Sequence, residues 1–133
     1  MAERDLEALL STLSVDRQDG VWRFETFKMN MIDQLKSIGP SSQSVMVFKE
    51  REGMTVIAPV KEVTPRENRW VWLELSVFSD LHAVGFMAAI AKALTEADVP
   101  CNVVAGFHHD HIFVPEAKAE AAIAALEALS ERS

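Results

Sequence analysis

Cysteine is almost absent, with Cys101 the single example in 133 residues. One thiol cannot form an internal disulfide, so the fold must hold by packing, which suits a reducing compartment. Basic charge is also short: 13 Lys and Arg stand against 20 Asp and Glu, for a formal net charge of −7. Nucleic-acid binding depends on neutralising phosphates with Lys and Arg, so no nucleic-acid partner is expected. Long apolar runs are missing too. The longest, Ala83 to Ala91, is interrupted by Lys92 and is far too short to span a bilayer, so no membrane partner is expected. The N-terminus is charged from Glu3 onward and lacks the apolar region of a signal peptide. These features together predict a cytoplasmic protein. A glycine-rich phosphate loop is absent, since Val104-Ala-Gly106 has no glycine pattern after it. Cys101 follows Pro100 at the start of a strand and reads as a small buried hydrophobe. No enzymatic activity and no cofactor are expected.

What is present is a core. An apolar fraction of 49% supports one domain or two small subdomains. Leu6, Leu9, Leu10 and Leu13 recur at helical spacing over 5–13, and Val21–Phe27 alternates as a strand. Lys28–Ile38 suits a short helix stopped by Gly39-Pro40. Val45–Glu50 and Met54–Pro59 read as a hairpin around Gly53. Trp70–Val77 is the clearest strand, with Val71, Leu73, Leu75 and Val77 on one face and Trp70, Trp72, Glu74 and Ser76 on the other. Ser79 or Asp80 is expected to cap a helix through Ala97, with Ala83, Met87, Ile90, Ala91 and Leu94 inward. Cys101–Ala105 and His111–Val114 form a second hairpin, and Pro115 opens a last helix that buries Ala119, Ile123, Leu126 and Leu129.

The order of elements repeats: strand, helical segment, hairpin, then proline and helix, in halves 1–66 and 67–133, the leading helix being counted with the first. A βαββα unit is one strand short of a ferredoxin-like sandwich. The expected class is therefore α+β, with antiparallel sheets covered by helices on one face. The strand at 70–77 can complete the first unit or open the second, so a strand is expected to be lent. Trp70, Trp72 and Phe78 then fall on the uncovered face, which the other half or a second chain should cover.

Two stretches invite chemistry. His108-His109-Asp110-His111 offers metal ligands, but alternation leaves only His109 and His111 on one face, so a polar turn is the expected reading and a metal site the lesser alternative. At Phe78–Gly85 a strand breaks into a helix, whose first N–H groups can receive a carboxylate while Asp80 offsets an ammonium. Gly85 would let a ligand come close, although a plain capped helix has the same residues.

The residues Leu75–Phe86 and Cys101–Val114, with Ser-x-Leu-x-Ala-Val-Gly followed by Asn-Val-x-Ala-Gly-x-x-His-Asp-His, resemble a group of small bacterial proteins built from tandem ACT-like domains, related to the ACT modules of CASTOR-type arginine sensors. The chain departs from that pattern at Asp80 and at Phe107-His108. The resemblance implies two ferredoxin-like ACT units in tandem, pairing into a homodimer, and an amino acid or similar small ligand bound at an interface. Carried onto this chain, it implies a loop of Ser79, Asp80, Leu81, His82, Ala83, Val84 and Gly85 facing a strand of Asn102, Val103 and Val104. The expected function is a non-catalytic regulatory module acting on a protein partner in trans. A protein-interaction module without a ligand, using Trp70 and Trp72, is the alternative from another class.

Overall fold

A computed structural model of the chain describes residues 2–28, 43–77 and 84–131, with only the backbone for residues 2–5. Its elements are α1 (Ala2–Ser11), β1 (Ser14–Arg17), β2 (Trp22–Phe27), β3 (Met46–Lys49), β4 (Met54–Pro59), β5 (Trp70–Ser76), α2 (Phe86–Glu96), β6 (Asn102–Ala105), β7 (Asp110–Pro115) and α3 (Ala119–Glu131), with short 3-10 turns at Arg66–Asn68 and Glu116–Lys118. The expected helix at 28–38 lies almost wholly outside the described residues. The chain divides into two compact units, Gly20–Trp70 and a second made of Met1–Asp19 with Val71–Ser133.

In the unit Gly20–Trp70, β3, β4 and β2 lie side by side, β4 pairing antiparallel with both neighbours. The pairing of Lys49 with Met54 leaves a tight connection, closed by Glu50 N–H on the Gly53 carbonyl at 2.8 Å. Gly53 is demanded by space, since a Cβ there would come within 2.4 Å of the Phe27 carbonyl oxygen. Val56, Ile57 and Ala58 are all buried, so β4 is covered on both faces. The unit ends on Trp70, which pairs antiparallel with Trp22. Asn68 holds that end: its Oδ1 accepts from Phe24 N–H at 3.0 Å and from Trp70 Nε1 at 3.1 Å, while its Nδ2 donates to the Phe24 carbonyl at 2.9 Å. The amide side chain thus stands in for a strand residue.

The second unit answers the missing-strand question. Its sheet runs β1-β5-β7-β6, and β1, from near the chain's start, pairs antiparallel with β5 (Ser14 with Ser76, Arg17 with Leu73). The leading segment, counted with the first half in the sequence, thus shares its core with the second: Leu10 and Leu13 join Val71, Leu73, Leu75, Phe86, Ile90, Leu94, Ile112, Val114, Ala122 and Leu126 in one cluster. Three helices cover one face of this sheet. Ten or more buried apolar side chains, at about 1.5–3 kcal/mol each, supply the main favourable term.

Three expectations change on the helix face. Gly85 has φ +87 and is the N-cap of α2, so no continuous helix runs from Ser79 or Asp80 to Ala97. A left-handed residue cannot continue a right-handed helix. Ala91 is exposed rather than inward, and Phe86 and Ala93 are buried in the places the shifted start creates. In α3, Ala119 and Leu126 are buried as expected, but Ala122 is fully buried where Ile123 is only partly so.

The aromatic surface assigned to the uncovered face is partly covered inside each unit. Trp70 packs edge-on against Phe24 at 5.4 Å, and Trp72 stacks on Phe113 at 6.0 Å. Phe78 lies outside the described residues.

Candidate functional site

The register of the second unit fixes what shares the face opposite the helices. Residues directly paired lie on one face. Asp16 stands opposite Glu74 and Ser14 opposite Ser76 across β1–β5. Asn102 stands opposite Phe113 and Val104 opposite His111 across β6–β7. Side-chain contacts join β5 to β7. Trp72 Nε1 donates to His111 Nδ1 at 3.0 Å, and Ser76 Oγ bonds His109 Nδ1 at 3.0 Å. His109 thus lies at the end of β5 and Phe113 near its beginning, so β7 runs opposite to β5.

This direction matters for the loop implicated by the sequence. Ser79, Asp80, Leu81, His82 and Ala83 lie outside the described residues. Val84 is 87% exposed, and Gly85 is held by its left-handed backbone and by Leu6, whose Cδ2 would lie 3.4 Å from a Cβ. Asn102 and Val103 are exposed and Val104 is half-buried. Strand β6 lies two strand spacings from β5, roughly 10 Å, and Asn102 is at the Trp72 end. At the Ser76 end, where the chain leaves for residues 78–83, the neighbour is the turn Gly106–His109. The structure therefore brings the histidine turn, rather than Asn102, beside the root of that segment.

The turn is tightly determined. Gly106 N–H donates to the His109 carbonyl at 2.9 Å. A Cβ on Gly106 would lie 2.7 Å from the His109 carbonyl oxygen and 3.0 Å from His111 Nε2, so only glycine leaves both groups in place. Phe107 at the tip is 83% exposed and meets the His108 ring edge-on at 5.0 Å. His109 and His111 lie on one face, as alternation predicts, with ring centroids 6.3 Å apart.

Trp72 decides the chemistry of His111. An indole N–H can only donate, so Nδ1 of His111 must accept and the neutral ring carries its proton on Nε2. Burial pushes His111 below its ordinary value of 6.5, and His109 adds to that, while Glu74 and Asp110 pull the other way. A metal-binding imidazole shows the opposite pattern: it binds through an unprotonated nitrogen and donates from the other to an acceptor. Both nitrogens of His111 are thereby withdrawn from metal chemistry in this arrangement. Among the described residues, no three His, Cys, Asp or Glu side chains gather as a metal site. Cys101 is half-buried, and burial raises its thiol above the ordinary value, the reverse of an activated nucleophile.

Sequence reasoning passed over Ser76, Trp72 and Glu74 as partners of the histidines. The signal was present in the alternation of β5 and of 109–113, but it becomes a site only once β7 is known to lie beside β5.

Family models described as ACT domains match residues 1–64 and residues 67–128. The chain is a tandem ACT-domain protein. Among solved structures it is similar to a Vibrio cholerae protein of unknown function, described as a possible transport protein, at 31% identity over 98% of this chain and 99% of that one, with a TM-score of 0.81. It shares its fold with a candidate C-terminal regulatory domain of aspartate kinase from Porphyromonas gingivalis (18% identity, 86% and 94% coverage, TM-score 0.57). The same holds for Clostridium acetobutylicum aspartate kinase, of which it covers 34%, at 9% identity over 91% of this chain and a TM-score of 0.63. No protein of curated function matches the sequence. Among the described residues, no helix of this ACT protein is long and apolar enough to cross a membrane.

Proposed function

We infer that the chain is a regulatory module that binds an amino acid or similar small carboxylate and does no chemistry on it. The observation that carries this reading is the pair of ACT matches spanning 1–64 and 67–128. The absence of an activated thiol at Cys101 agrees with it. Ser79 would receive the ligand carboxylate and Asp80 its ammonium; Asn102, at the Trp72 end of the sheet and away from where the chain leaves for that segment, is left out of the proposed site. The protein would act as a homodimer in the cytoplasm, on a protein partner whose activity follows ligand level.

The test is a thermal-shift comparison of wild type and Asp80→Ala across the proteinogenic amino acids. A ligand at a hundredfold excess over its Kd stabilises the folded state by about 2.7 kcal/mol. Wild type should respond to at least one compound and Asp80→Ala should not. An equal response from both proteins would remove Asp80 from the site.

A second reading, a protein-interaction module without a ligand, draws support from β3, where Val47 and Phe48 are 45% and 62% exposed. Co-purification of another protein at fixed stoichiometry, with no amino acid shifting the melt, would favour it.

A further inference from the structure

The sheet of the second unit ends on β6, whose one strand neighbour among the described residues is β7. The Gly106 N–H donates to the His109 carbonyl, so residues 106 and 109 form a bonded pair. Alternation then makes Val104–His111 and Asn102–Phe113 the next two bonded pairs. The N–H and C=O groups of Val103 and Ala105 therefore point away from β7, and they meet no partner among the described residues. Both residues are exposed, Val103 at 43%. A free edge is a template for another strand, and proteins commonly blunt such edges with charge. Strand β1 carries Asp16 and Arg17, and β3, the outer strand of the other unit, carries Lys49. Strand β6 reads Asn102-Val-Val-Ala105 and carries no charge. Its partner β7 is held to β5 by Trp72 on His111, and the turn by Ser76 on His109, so an incoming strand has little to order.

The chemistry beside the edge selects the occupant. Val103 stands opposite Ile112 and Ala105 opposite Asp110, and Ile112 belongs to the core, so these side chains lie on the helix-covered face. A residue added opposite Val103 meets an apolar side chain. A residue added opposite Ala105 sits two strand spacings, roughly 10 Å, from Asp110 with only a methyl group between. A lysine or arginine there lays its stem over Ala105 and brings its charge to the Asp110 carboxylate, which enters no ion pair among the described residues. A second copy of the chain fits poorly: its β6 has no basic residue to offer, and each copy carries a net charge of −7. We propose that β6 is a docking edge for an extended segment of a partner protein, added as a further strand, with an apolar residue opposite Val103 and a basic residue two positions away opposite Ala105. Main-chain bonds to Val103 and Ala105 hold the segment, and Asp110 selects its charge. The proposal rests on the regulatory reading only for the existence of a protein partner. Its test contains no amino acid, so its failure leaves amino-acid binding standing.

The probe is a fluorescein-labelled peptide, Thr-Lys-Thr-Val-Thr-Lys-Thr, which sets a lysine opposite Ala105 in either strand direction when its valine stands opposite Val103. Fluorescence anisotropy reads its binding to the full chain, to Val103→Pro and to Asp110→Asn, with Thr-Glu-Thr-Val-Thr-Glu-Thr as the charge control. Proline at 103 removes an outward N–H and no bond to β7, a substitution that edge strands accept. Wild type should bind the lysine peptide saturably and the glutamate peptide more weakly. Val103→Pro should lower the affinity at least about fivefold, the scale of one lost main-chain bond. Asp110→Asn should lower it about twofold to fivefold, the scale of an exposed ion pair. No saturable rise with the lysine peptide, or equal binding of the two peptides, overturns the proposal. So does unchanged affinity in Asp110→Asn, which decides the matter even where proline disturbs β6. If sedimentation shows the peptide-free chain to be a dimer that Val103→Pro dissociates without lowering its melting temperature, the edge belongs to a second copy and the proposal falls.

Discussion

Leu10→Ala tests whether the leading helix belongs to the core of the second unit. Leu10 is 5% exposed and sits in the cluster with Val71, Ile90 and Leu126, contributed by β5, α2 and α3. Replacing a buried leucine with alanine costs about 2–5 kcal/mol, from lost transfer energy plus the cavity left behind. Partial relaxation of the surrounding side chains into the space places the cost in the lower half, about 2–3 kcal/mol. For a chain of this size that corresponds to a fall in Tm of roughly 8–12 °C. Thermal unfolding followed by far-ultraviolet circular dichroism reads it, with Glu7→Ala as the control, since Glu7 is exposed on the same helix and should change stability by less than about 0.5 kcal/mol. A Leu10→Ala loss no larger than that of the control would mean that α1 is not docked, and the account of the second unit would be wrong.

Three further outcomes follow from named contacts. Gly106→Ala should open the turn, because its Cβ would fall 2.7 Å from the His109 carbonyl oxygen; loss of the Trp72 indole N–H resonance from its hydrogen-bonded position would report it, and an unchanged spectrum would contradict it. Stability should decline on acidification. Folded His111 holds a proton less readily than its ordinary value of 6.5, so the unfolded chain takes up more protons below that value, and stability present above it is lost as the pH falls. Urea midpoints between neutral pH and about pH 5.5 should show a slope that Trp72→Phe reduces; identical slopes would remove His111 as the cause. Cys101, its thiol raised by burial, should alkylate slowly in the native protein and rapidly in urea, and equal rates would deny its burial.

The parts of the fold visible in the sequence were those that local pattern controls. The alternation of 70–76 became β5 with Val71, Leu73 and Leu75 buried, and Pro115 led through a short 3-10 turn into α3. Strand β1 was not visible, because Ser14-Val-Asp-Arg17 has one apolar residue and three exposed ones and is a strand only because β5 pairs with it. The start of α2 was misplaced because Gly85 looks like a tolerated glycine inside a helix, whereas its left-handed backbone and the closeness of Leu6 make it the boundary. The histidine turn was read correctly as a turn with His109 and His111 on one face. Its ties to Ser76 and Trp72 depend on strand order, which spacing along the chain does not encode. The loop residues Ser79–Ala83 stay as the sequence left them, a proposal to be tested by substitution.

The central claim is that this tandem ACT protein binds an amino acid. Calorimetric titration of the proteinogenic amino acids into the wild-type chain measures it directly. The account predicts saturable binding at fixed stoichiometry for at least one of them, weakened by Asp80→Ala. Absence of saturable heat from every one, with protein that melts cooperatively in the same buffer, would contradict it.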